Sequence, residues 1–161
     1  MPITIQVYNE EHKQGVITLI LDIQQNEFKI PITIDQQPDL NKIADYYQAD
    51  NGNFWVATID GKVIGTLGLL DIGNSQGALR KMFVKDLYRG QTYAVGQLLL
   101  DTLLSWTKEN KYASIFLGTT EKFIAAQKFY RRNGFKEISM ESLPNNFPVM
   151  TVDKIFYRLD I

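Results

Sequence analysis

The sequence contains no cysteine and a single histidine, His12. Without cysteine the chain cannot form a disulfide, a thiolate metal site or a covalent acyl-cysteine intermediate. A single histidine excludes a multi-histidine metal centre, and a Ser-His-Asp triad would have to be built on His12. We therefore expect no metal site, and the common hydrolase and metalloenzyme classes lose most of their support.

An excess of charge of one sign and long apolar runs are also absent. The 17 lysine and arginine residues nearly balance the 18 acidic residues, so no global electrostatic field gathers nucleic acid or an anionic membrane. No apolar run reaches the roughly 18 residues that a membrane span requires. The start of the chain, residues 1–4, lacks the basic and apolar stretches of a signal peptide. We expect a cytoplasmic protein without a nucleic-acid or membrane partner.

The length and composition of the sequence are those of one globular domain. The 161 residues are 45% apolar and 22% charged, which is typical of a protein that buries a core without disulfides or metals. No repeat, low-complexity tract or Gly/Ser linker divides the chain. We interpret residues 1–161 as a single domain.

Hydrophobic periodicity predicts alternating strands and helices in the order βα(α)βββαβαββ. Asp60-Gly61 is a strong signal for a two-residue hairpin turn between two of the strands. Residues 25–38, bounded by prolines, are predicted to be irregular. The predicted strands are 3–7, 54–59, 63–70, 78–84, 114–117, 135–138 and 151–158, and the predicted helices are 10–24, about 40–47, one ending near 110, and 121–132.

The segment that follows the strand ending at Val84 suits the binding of phosphate. Arg89-Gly90 forms a predicted turn between that strand and an amphipathic helix, and Gly96 lies near the start of the helix. Free N–H groups and the positive dipole at a helix N-terminus attract anions, glycine lets the backbone approach closely, and Arg89 adds a charge. Taken alone, the segment is explained equally well as a plain glycine turn with a surface arginine.

A second pattern lies in the following helix, where Ala126 precedes Tyr130 by one turn and Gly134-Phe135 ends the helix. Phe123, Ala126 and Tyr130 lie on one helical stripe. Taken singly, Ala126 is explained as a packing residue and Tyr130 as an aromatic residue at the edge of the core. Only the combination of both patterns points to a function.

Together the two patterns resemble the acetyl-CoA-binding motifs of the GNAT acetyltransferase superfamily. The family pattern is Arg/Gln-x-x-Gly-x-Gly/Ala at the start of one helix and Ala-x-x-x-Tyr-x-x-x-Gly-Phe on the next, and the second is complete here. The resemblance covers essentially the whole chain. It implies N-acetyltransferase activity and an α/β (α+β) GNAT fold, whose mixed, mostly antiparallel sheet has about six to seven strands flanked by about four helices.

The sequence departs from the family pattern at two places. The family usually places its next glycine two positions after Gly90, whereas here the next glycine is Gly96. The buried stripe that begins at Val95 predicts a loop about two residues longer, so the identity of the amides that contact the pyrophosphate stays open. Phe123 stands where many family members carry an asparagine that contacts the pantetheine.

The resemblance implies acetyl-CoA as the cofactor and assigns its contacts to three stretches of the chain. The strand before the loop would pair with the pantetheine amides, and the loop and the start of the helix would bind the pyrophosphate. The implied cofactor-binding residues are Met82, Phe83, Val84, Arg89, Gly90, Gln91, Thr92, Tyr93, Ala94, Val95, Gly96, Gln97, Thr119, Phe123, Ala126 and Tyr130.

The resemblance also implies direct attack by the amine on the acetyl thioester in a ternary complex, in agreement with the absence of cysteine. A backbone N–H of Phe83 or Val84 would polarise the thioester carbonyl. Tyr130, a phenol that is protonated at neutral pH, would donate to the leaving thiolate. Tyr130 and Val84 are therefore the catalytic candidates.

No general base can be assigned from the sequence. The glutamate that family members often carry on the strand before the loop is replaced by Leu79, Arg80 and Lys81. Water relayed to Asp71, Glu27 or a carbonyl is one source of a base, and deprotonation of the substrate in bulk solvent is another.

The acceptor is the least constrained part of the prediction. In the family it depends on segments that correspond here to residues 25–38 and 139–150, both of which are loop-like and carry aromatic or acidic groups. Glu27, Phe28 and Asp71 are the candidate acceptor-binding residues. We expect a small-molecule or peptide amine as the acceptor, and a monomer or homodimer.

Two other functions stay open at this point. A phosphate loop establishes binding and not turnover, so a non-catalytic acyl-CoA-binding sensor or regulatory module is the main alternative. Basic residues near the last helix would suit nucleic acid, the 3′-phosphate of CoA or a solvated face. This basic cluster comprises Lys122, Lys128, Arg131, Arg132 and Lys136.

Overall fold

The computed structural model describes residues 2–161. Its strands and α-helices follow the predicted order. The strands are β1 (Thr4–Val7), β2 (Asn53–Ile59), β3 (Lys62–Gly73), β4 (Gln76–Val84), β5 (Ser114–Thr119), β6 (Lys136–Ile138) and β7 (Ile155–Asp160). The α-helices are α1 (Lys13–Leu21), α2 (Ile43–Tyr47), α3 (Val95–Glu109) and α4 (Ile124–Arg132).

These strands form one 7-stranded sheet with the order β1-β2-β3-β4-β5-β7-β6. β4 and β5 are parallel, and every other neighbouring pair is antiparallel. The parallel step requires a crossover, which α3 provides between β4 and β5. A mixed, mostly antiparallel sheet flanked by four helices confirms the predicted α/β fold class.

The Asp60-Gly61 turn joins β2 to β3 as predicted. Asp60 has a φ of 51° and Gly61 a φ of 76°, and Ile59 lies opposite Lys62 at the closed end of the hairpin. Positive φ at both central residues is typical of a type I′ turn, whose twist matches that of the flanking strands. Two residues are therefore sufficient to bring β2 and β3 together.

α3 packs on one face of the sheet. It buries the apolar stripe Val95, Leu99 and Leu103 in the core, because residues four apart lie on the same side of a helix. Trp106, the next residue of the predicted stripe, is partly buried, and its Nε1 donates to the Asn51 carbonyl at 2.7 Å. The stripe thus holds α3 against the centre of the sheet.

α1 and α2 cover the opposite face, where Ile20 and Tyr47 pack with Val56 of β2. The neighbouring Trp55 packs in the core below α3, as strand alternation requires. Tyr130 of α4 also belongs to the α3 core, so we name the two sides the α1/α2 face and the α3/α4 face. Across residues 2–161, no helix has both the length and the apolar character needed to cross a bilayer.

The chain continues from α1 as a π-helix over Asp22–Glu27. The Phe28 N–H bonds to the Ile23 carbonyl at 3.0 Å, which is the i to i−5 pattern of a π-helix. The sequence predicted a helix to residue 24 and irregular chain from residue 25, so the helical segment is longer and wider than predicted. Short π-helical segments occur frequently at functional sites.

β4 and β5 pair over a short distance and then separate. Gln76, Gly77 and Ala78 pair with Ser114 to Phe116, whereas residues 79–84 and 117–119 have no pairing with each other. Each strand keeps its other neighbour, which is β3 for β4 and β7 for β5. The separation opens a gap through the middle of the sheet.

A β-bulge at Lys81 changes the direction of the side chains of β4. Lys81 has a φ of 57°, and the register against β3 slips at this point. An extra residue in a strand interrupts the alternation of its side chains. Arg80 and Lys81 consequently both contact residues of the α1/α2 face, whereas Leu79 and Met82 on either side pack on the α3/α4 face.

Candidate active site

A cleft of about 810 Å³ occupies the gap between β4 and β5. Gly96 and Phe129 line it on the α3/α4 face, and Gln24 and Ile32 line it on the α1/α2 face, so the cleft passes through the sheet. Pockets of this size with a few polar groups are typical binding sites for small molecules. Within the part of the chain that the structure describes, no group of His, Asp and Glu residues could hold a metal ion.

The loop before α3 forms the end of the cleft on the α3/α4 face. Gly90, with a φ of 90°, and Ala94, with a φ of 52°, mark two sharp turns in it. α3 begins at Val95, which is later than a direct connection from the Arg-Gly turn would place it. This start agrees with the buried stripe, which also begins at Val95.

The first turn of α3 leaves backbone N–H groups free to bind an anion. Leu98 is the first residue of α3 whose N–H donates to a backbone carbonyl, that of Ala94 at 2.9 Å. The N–H groups of Val95, Gly96 and Gln97 have no backbone partner among the described residues, as is usual at the start of a helix. These three amides lie at the positive end of the α3 dipole and suit a phosphate.

Gly96 leaves space in the cleft beside these amides. A Cβ added to Gly96 would lie 3.5 Å from Met82 Cε and 3.8 Å from Phe129 Cζ, which are ordinary van der Waals distances. Neither backbone strain nor crowding by the protein requires glycine here. Because Gly96 lines the cleft, the missing side chain leaves room for a ligand close to the backbone.

The Arg89 side chain is held by contacts within the protein. Its Nε donates to the Val84 carbonyl at 2.7 Å, and its guanidinium forms an ion pair with both carboxylate oxygens of Glu27. The sequence predicted that the positive charge of Arg89 would attract the phosphates. In the structure, the Glu27 carboxylate offsets that charge. Lys122 and Arg132 supply further positive charge along the cleft.

The open edge of β4 presents the Val84 N–H to the cleft. The Lys85 N–H bonds to the Ile64 carbonyl of β3 at 2.8 Å, so the preceding residue, Val84, has its backbone groups directed away from β3. The Val84 carbonyl agrees with this direction, because it accepts from Arg89 Nε. The N–H and C=O of one strand residue point to the same side, so Val84 provides a backbone donor between β4 and β5.

Tyr130 lines the cleft from α4, one turn after Ala126. Its ring packs against Phe135 and Tyr157 at centroid distances of 5.6 and 6.1 Å, and the residue is 5% exposed. The Tyr157 hydroxyl accepts from Arg131 Nη1 at 2.9 Å, whereas the Tyr130 hydroxyl has no hydrogen-bond partner within residues 2–161. Burial raises the pKa of Tyr130 well above its usual value, so the phenol stays protonated and can donate.

The end of the cleft on the α1/α2 face contains a buried network around Lys81. Lys81 Nζ donates to Gln37 Oε1 at 2.7 Å and lies 3.7 Å from Asp39 Oδ2. The same Asp39 oxygen accepts from the Tyr47 hydroxyl at 2.6 Å. Burial lowers the pKa of Lys81 to about 8 despite the opposing effect of Asp39. This end of the cleft is therefore polar but poorly hydrated.

Arg80 and Asp153 line the same end. Arg80 Nη1 donates to the Tyr46 hydroxyl at 2.9 Å, and Asp153 Oδ2 accepts from the Met150 N–H at 2.9 Å. Burial raises the pKa of Asp153, whereas the Met150 N–H and the positive charges of Arg80 and Lys81 act to lower it. Charges of both signs thus meet at the α1/α2 end.

Comparison with known proteins agrees with this architecture. Residues 50–137 match the family model described as an acetyltransferase (GNAT) domain. The chain belongs to the GNAT acetyltransferase family. The structure of a GNAT-family acetyltransferase from Staphylococcus aureus Mu50 shares 43% sequence identity with it and superimposes with a TM-score of 0.95, covering 99% of each chain.

Two other similar proteins carry more specific names. N-acetylaspartate synthetase of Xenopus tropicalis is 35% identical over 128 residues, which are 75% of this chain and 45% of the relative. The GNAT chain therefore spans about half the length of the curated relatives that it matches. The PaiA N-acetyltransferase of Thermoplasma acidophilum, solved in complex with coenzyme A, shares the fold with a TM-score of 0.75 at 16% identity, covering 100% of both chains.

Most of the predicted cofactor-binding residues line the cleft of this GNAT chain. Val95 is an exception because its side chain is buried in the core and only its amide is available, and Thr92 and Tyr93 lie on the exposed side of the loop. The predicted residues that line the cleft are Met82, Phe83, Val84, Arg89, Gly90, Gln91, Ala94, Gly96, Gln97, Thr119, Phe123, Ala126 and Tyr130.

The three predicted acceptor-binding residues are not brought together. Phe28 lines the cleft, where its ring meets that of Phe123 edge-on at a centroid distance of 4.8 Å. Glu27 is engaged by Arg89. Asp71 lies near the end of β3, where its carboxylate accepts hydrogen bonds from N–H groups of nearby turns. Asp71 therefore stabilises local turns and does not face the cleft.

Sequence reasoning did not place Arg80, Lys81 and Asp153 in the candidate site, although all three line the cleft. The family pattern identifies Arg80 and Lys81 only as replacements for a glutamate, and periodicity assigns Asp153 to a strand. The sequence feature that could have identified Arg80 and Lys81 is their position side by side in an apolar strand. Lysine and arginine are rarely buried without a partner, so such a pair indicates a site.

Proposed function

We propose that this GNAT protein transfers the acetyl group of acetyl-CoA to a primary amine by direct attack in a ternary complex. The observation that carries the proposal is the cleft through the sheet, which has free amides at one end and also contains the Val84 N–H and the Tyr130 hydroxyl. Cofactor and acceptor can enter from opposite faces and meet where β4 and β5 separate. Positioning two reactants in this way supplies a large part of catalysis.

The residues at the α3/α4 end fit coenzyme A. The N–H groups of Val95, Gly96 and Gln97 suit the pyrophosphate, and Lys122 and Arg132 suit the remaining phosphate. The unpaired edge of β4 can bond to the pantetheine amides as a neighbouring strand would. When bound, acetyl-CoA supplies a thioester whose carbonyl carbon is open to attack by the amine.

Two groups of the chain assist the transfer. The Val84 N–H donates to the carbonyl oxygen as negative charge develops there. The Tyr130 hydroxyl donates a proton or a hydrogen bond to the departing sulfur. No cysteine is present to form an acyl-cysteine intermediate, which agrees with direct transfer of the acetyl group to the amine.

A non-catalytic acyl-CoA sensor would need only the cofactor end of the cleft. Here the cleft continues to the α1/α2 face, where Arg80, Lys81 and Asp153 line it, and an acceptor site is the simplest use of that space. The Tyr130 hydroxyl, which has no partner among the described residues, likewise favours a reaction over binding alone.

A screen of acceptors tests the proposal. The protein is incubated with acetyl-CoA and primary amines, including amino acids, polyamines, aminoglycosides and peptides with a free N-terminus, and free thiol is measured over time. Amino acids belong in the panel because the Xenopus relative is named for N-acetylaspartate. We expect thiol release that depends on one class of amine, with the acetylated product identified by mass spectrometry.

Reactions without an amine, and with CoA in place of acetyl-CoA, are the controls for this screen. The proposal fails if calorimetry shows that acetyl-CoA binds but no amine in the panel, and no cell extract, promotes thiol release. That outcome would support the sensor.

A further inference from the structure

The Arg80 side chain reaches into the cleft as a half-buried cation. Its Nη1 donates to the Tyr46 hydroxyl at 2.9 Å, and the guanidinium carbon lies 5.7 Å from the centre of the Tyr46 ring. No Asp or Glu of the described chain forms an ion pair with it. A desolvated charge is normally paired, because its removal from water costs free energy that a partner offsets. Arg80 is therefore available to an anion in the cleft.

The neighbouring Lys81 is in the opposite situation. Its side chain is 3% exposed, and its ammonium contacts Gln37 and the Asp39 carboxylate. Asp39 thus neutralises Lys81 and is not in contact with the Arg80 guanidinium. The bulge directs both cations to one face. Asp39 and Asp153 are near enough to favour the charge of Arg80, but no carboxylate of the described residues contacts its guanidinium.

A carboxylate lies at the same end of the cleft on the side of β5. Asp153 belongs to the loop before β7, and a Cβ added to Gly118 would lie 2.7 Å from its Oδ2, so the carboxylate rests against the backbone of β5. The loop also reaches β4, because Met150 Sδ lies 3.8 Å from Lys81 Nζ. The Met150 N–H donates a hydrogen bond to Asp153 Oδ2, whereas Asp153 Oδ1 accepts no hydrogen bond from residues 2–161.

We propose that the acceptor is an amine that also carries a carboxylate, an amino acid, and that Arg80 binds this carboxylate while Asp153 lies beside the amine. The inference rests on the proposed function and names the acceptor class for the same cleft. A guanidinium binds a carboxylate through two parallel N–H···O bonds, and Arg80 has N–H groups left after its bond to Tyr46. A polyamine would bring a second cation towards Arg80, and a simple amine would leave Arg80 without an anion.

Matched acceptors test the inference on the intact protein. Each amino acid is compared with its carboxamide and with the amine that lacks the carboxylate, at saturating acetyl-CoA, by the initial rate of thiol release. We expect kcat/KM for the amino acid to exceed that for the decarboxylated amine at least about 100-fold, because a site built for a charged partner rejects an analogue without it. Arg80→Gln should lower kcat/KM about 100-fold more for the amino acid than for the decarboxylated amine.

Three variants complete the test. Arg158→Gln is the matched control, because this arginine also lies over an aromatic ring, that of Phe116 at 5.4 Å, but does not line the cleft, so its acceptor preference should be that of the wild type. Arg80→Lys keeps the charge without the paired N–H geometry and should recover part of the preference. Asp153→Asn keeps an oxygen for the Met150 N–H and should raise KM for the amino acid about tenfold.

Equal kcat/KM values for amino acids and their decarboxylated amines in the wild-type protein would overturn the inference and leave acetyl transfer intact, and this comparison needs no variant to fold. Parallel losses for both acceptors in Arg80→Gln would overturn it as well. Absence of thiol release with every amine would instead contradict the proposed function, and the inference would fail with it.

Discussion

Replacing Tyr130 by phenylalanine separates the two roles that its position allows. The ring would keep its contacts with Phe135 and Tyr157, and the residue is 5% exposed, so the packing of α4 is preserved. The hydroxyl is the only group removed, and it has no hydrogen-bond partner within the described chain. We therefore expect the free energy of unfolding to change by less than about 1 kcal/mol.

Turnover should respond much more strongly than stability. If the hydroxyl donates to the departing thiolate, its loss should lower kcat roughly 10- to 1000-fold, which corresponds to about 1.4–4 kcal/mol of activation free energy. Single-turnover rates at saturating acetyl-CoA measure this change, and calorimetry should show nearly unchanged affinity. Because burial holds the pKa of Tyr130 well above its usual value, the deficit should persist at mildly alkaline pH.

Tyr157→Phe is the matched control for this experiment. The Tyr157 hydroxyl accepts from Arg131 Nη1 at 2.9 Å and does not line the cleft, so its loss should cost roughly 1 kcal/mol of stability without lowering turnover. Tyr130→Ala should destabilise the fold by roughly 3–5 kcal/mol through the cavity it leaves. Equal single-turnover rates for the wild type and Tyr130→Phe would refute a chemical role for the hydroxyl and leave packing as its explanation.

Two further predictions concern the two ends of the cleft. Gly96→Val should weaken acetyl-CoA binding at least about tenfold in calorimetry without unfolding the protein, because its Cβ has room beside Met82 and Phe129 while its methyl groups enter the cleft near the free N–H groups. Unchanged affinity would contradict this location for the pyrophosphate. Lys81→Met removes an ammonium whose pKa burial lowers from 10.5 to about 8. Between these values the unfolded chain binds more protons at Lys81 than the folded chain, so wild-type stability relative to the variant should rise by about 2 kcal/mol from about pH 8 to about pH 10 in urea unfolding. A difference that does not change with pH would show that folding does not lower the pKa of Lys81.

Local signals in the sequence predicted the elements and the α3/α4 end of the cleft. Asp60-Gly61 forms the hairpin turn because positive φ at both residues suits this dipeptide. The stripe that begins at Val95 marks the start of α3. Ala126 and Tyr130 line the cleft together because residues four apart share one side of a helix. Each of these features depends on residues only a few positions apart, so it can be predicted from the amino-acid sequence alone.

The tertiary structure decided the charged contacts of the cleft, because they join segments that are far apart in the chain. The bulge at Lys81 directs Arg80 and Lys81 to one face. A positive φ is expected at glycine and not at lysine, so the sequence contains no signal of this bulge. Asp153 reaches the same space from the loop before β7, and Arg89 pairs with Glu27 across 62 positions of sequence. Periodicity and local spacing carry no information on such pairs, since they depend on how the whole sheet packs and where β4 and β5 separate. The sequence by itself therefore determined the strands, the helices and the glycine turn before α3, whereas only the folded sheet decided which charges face the α1/α2 end of the cleft.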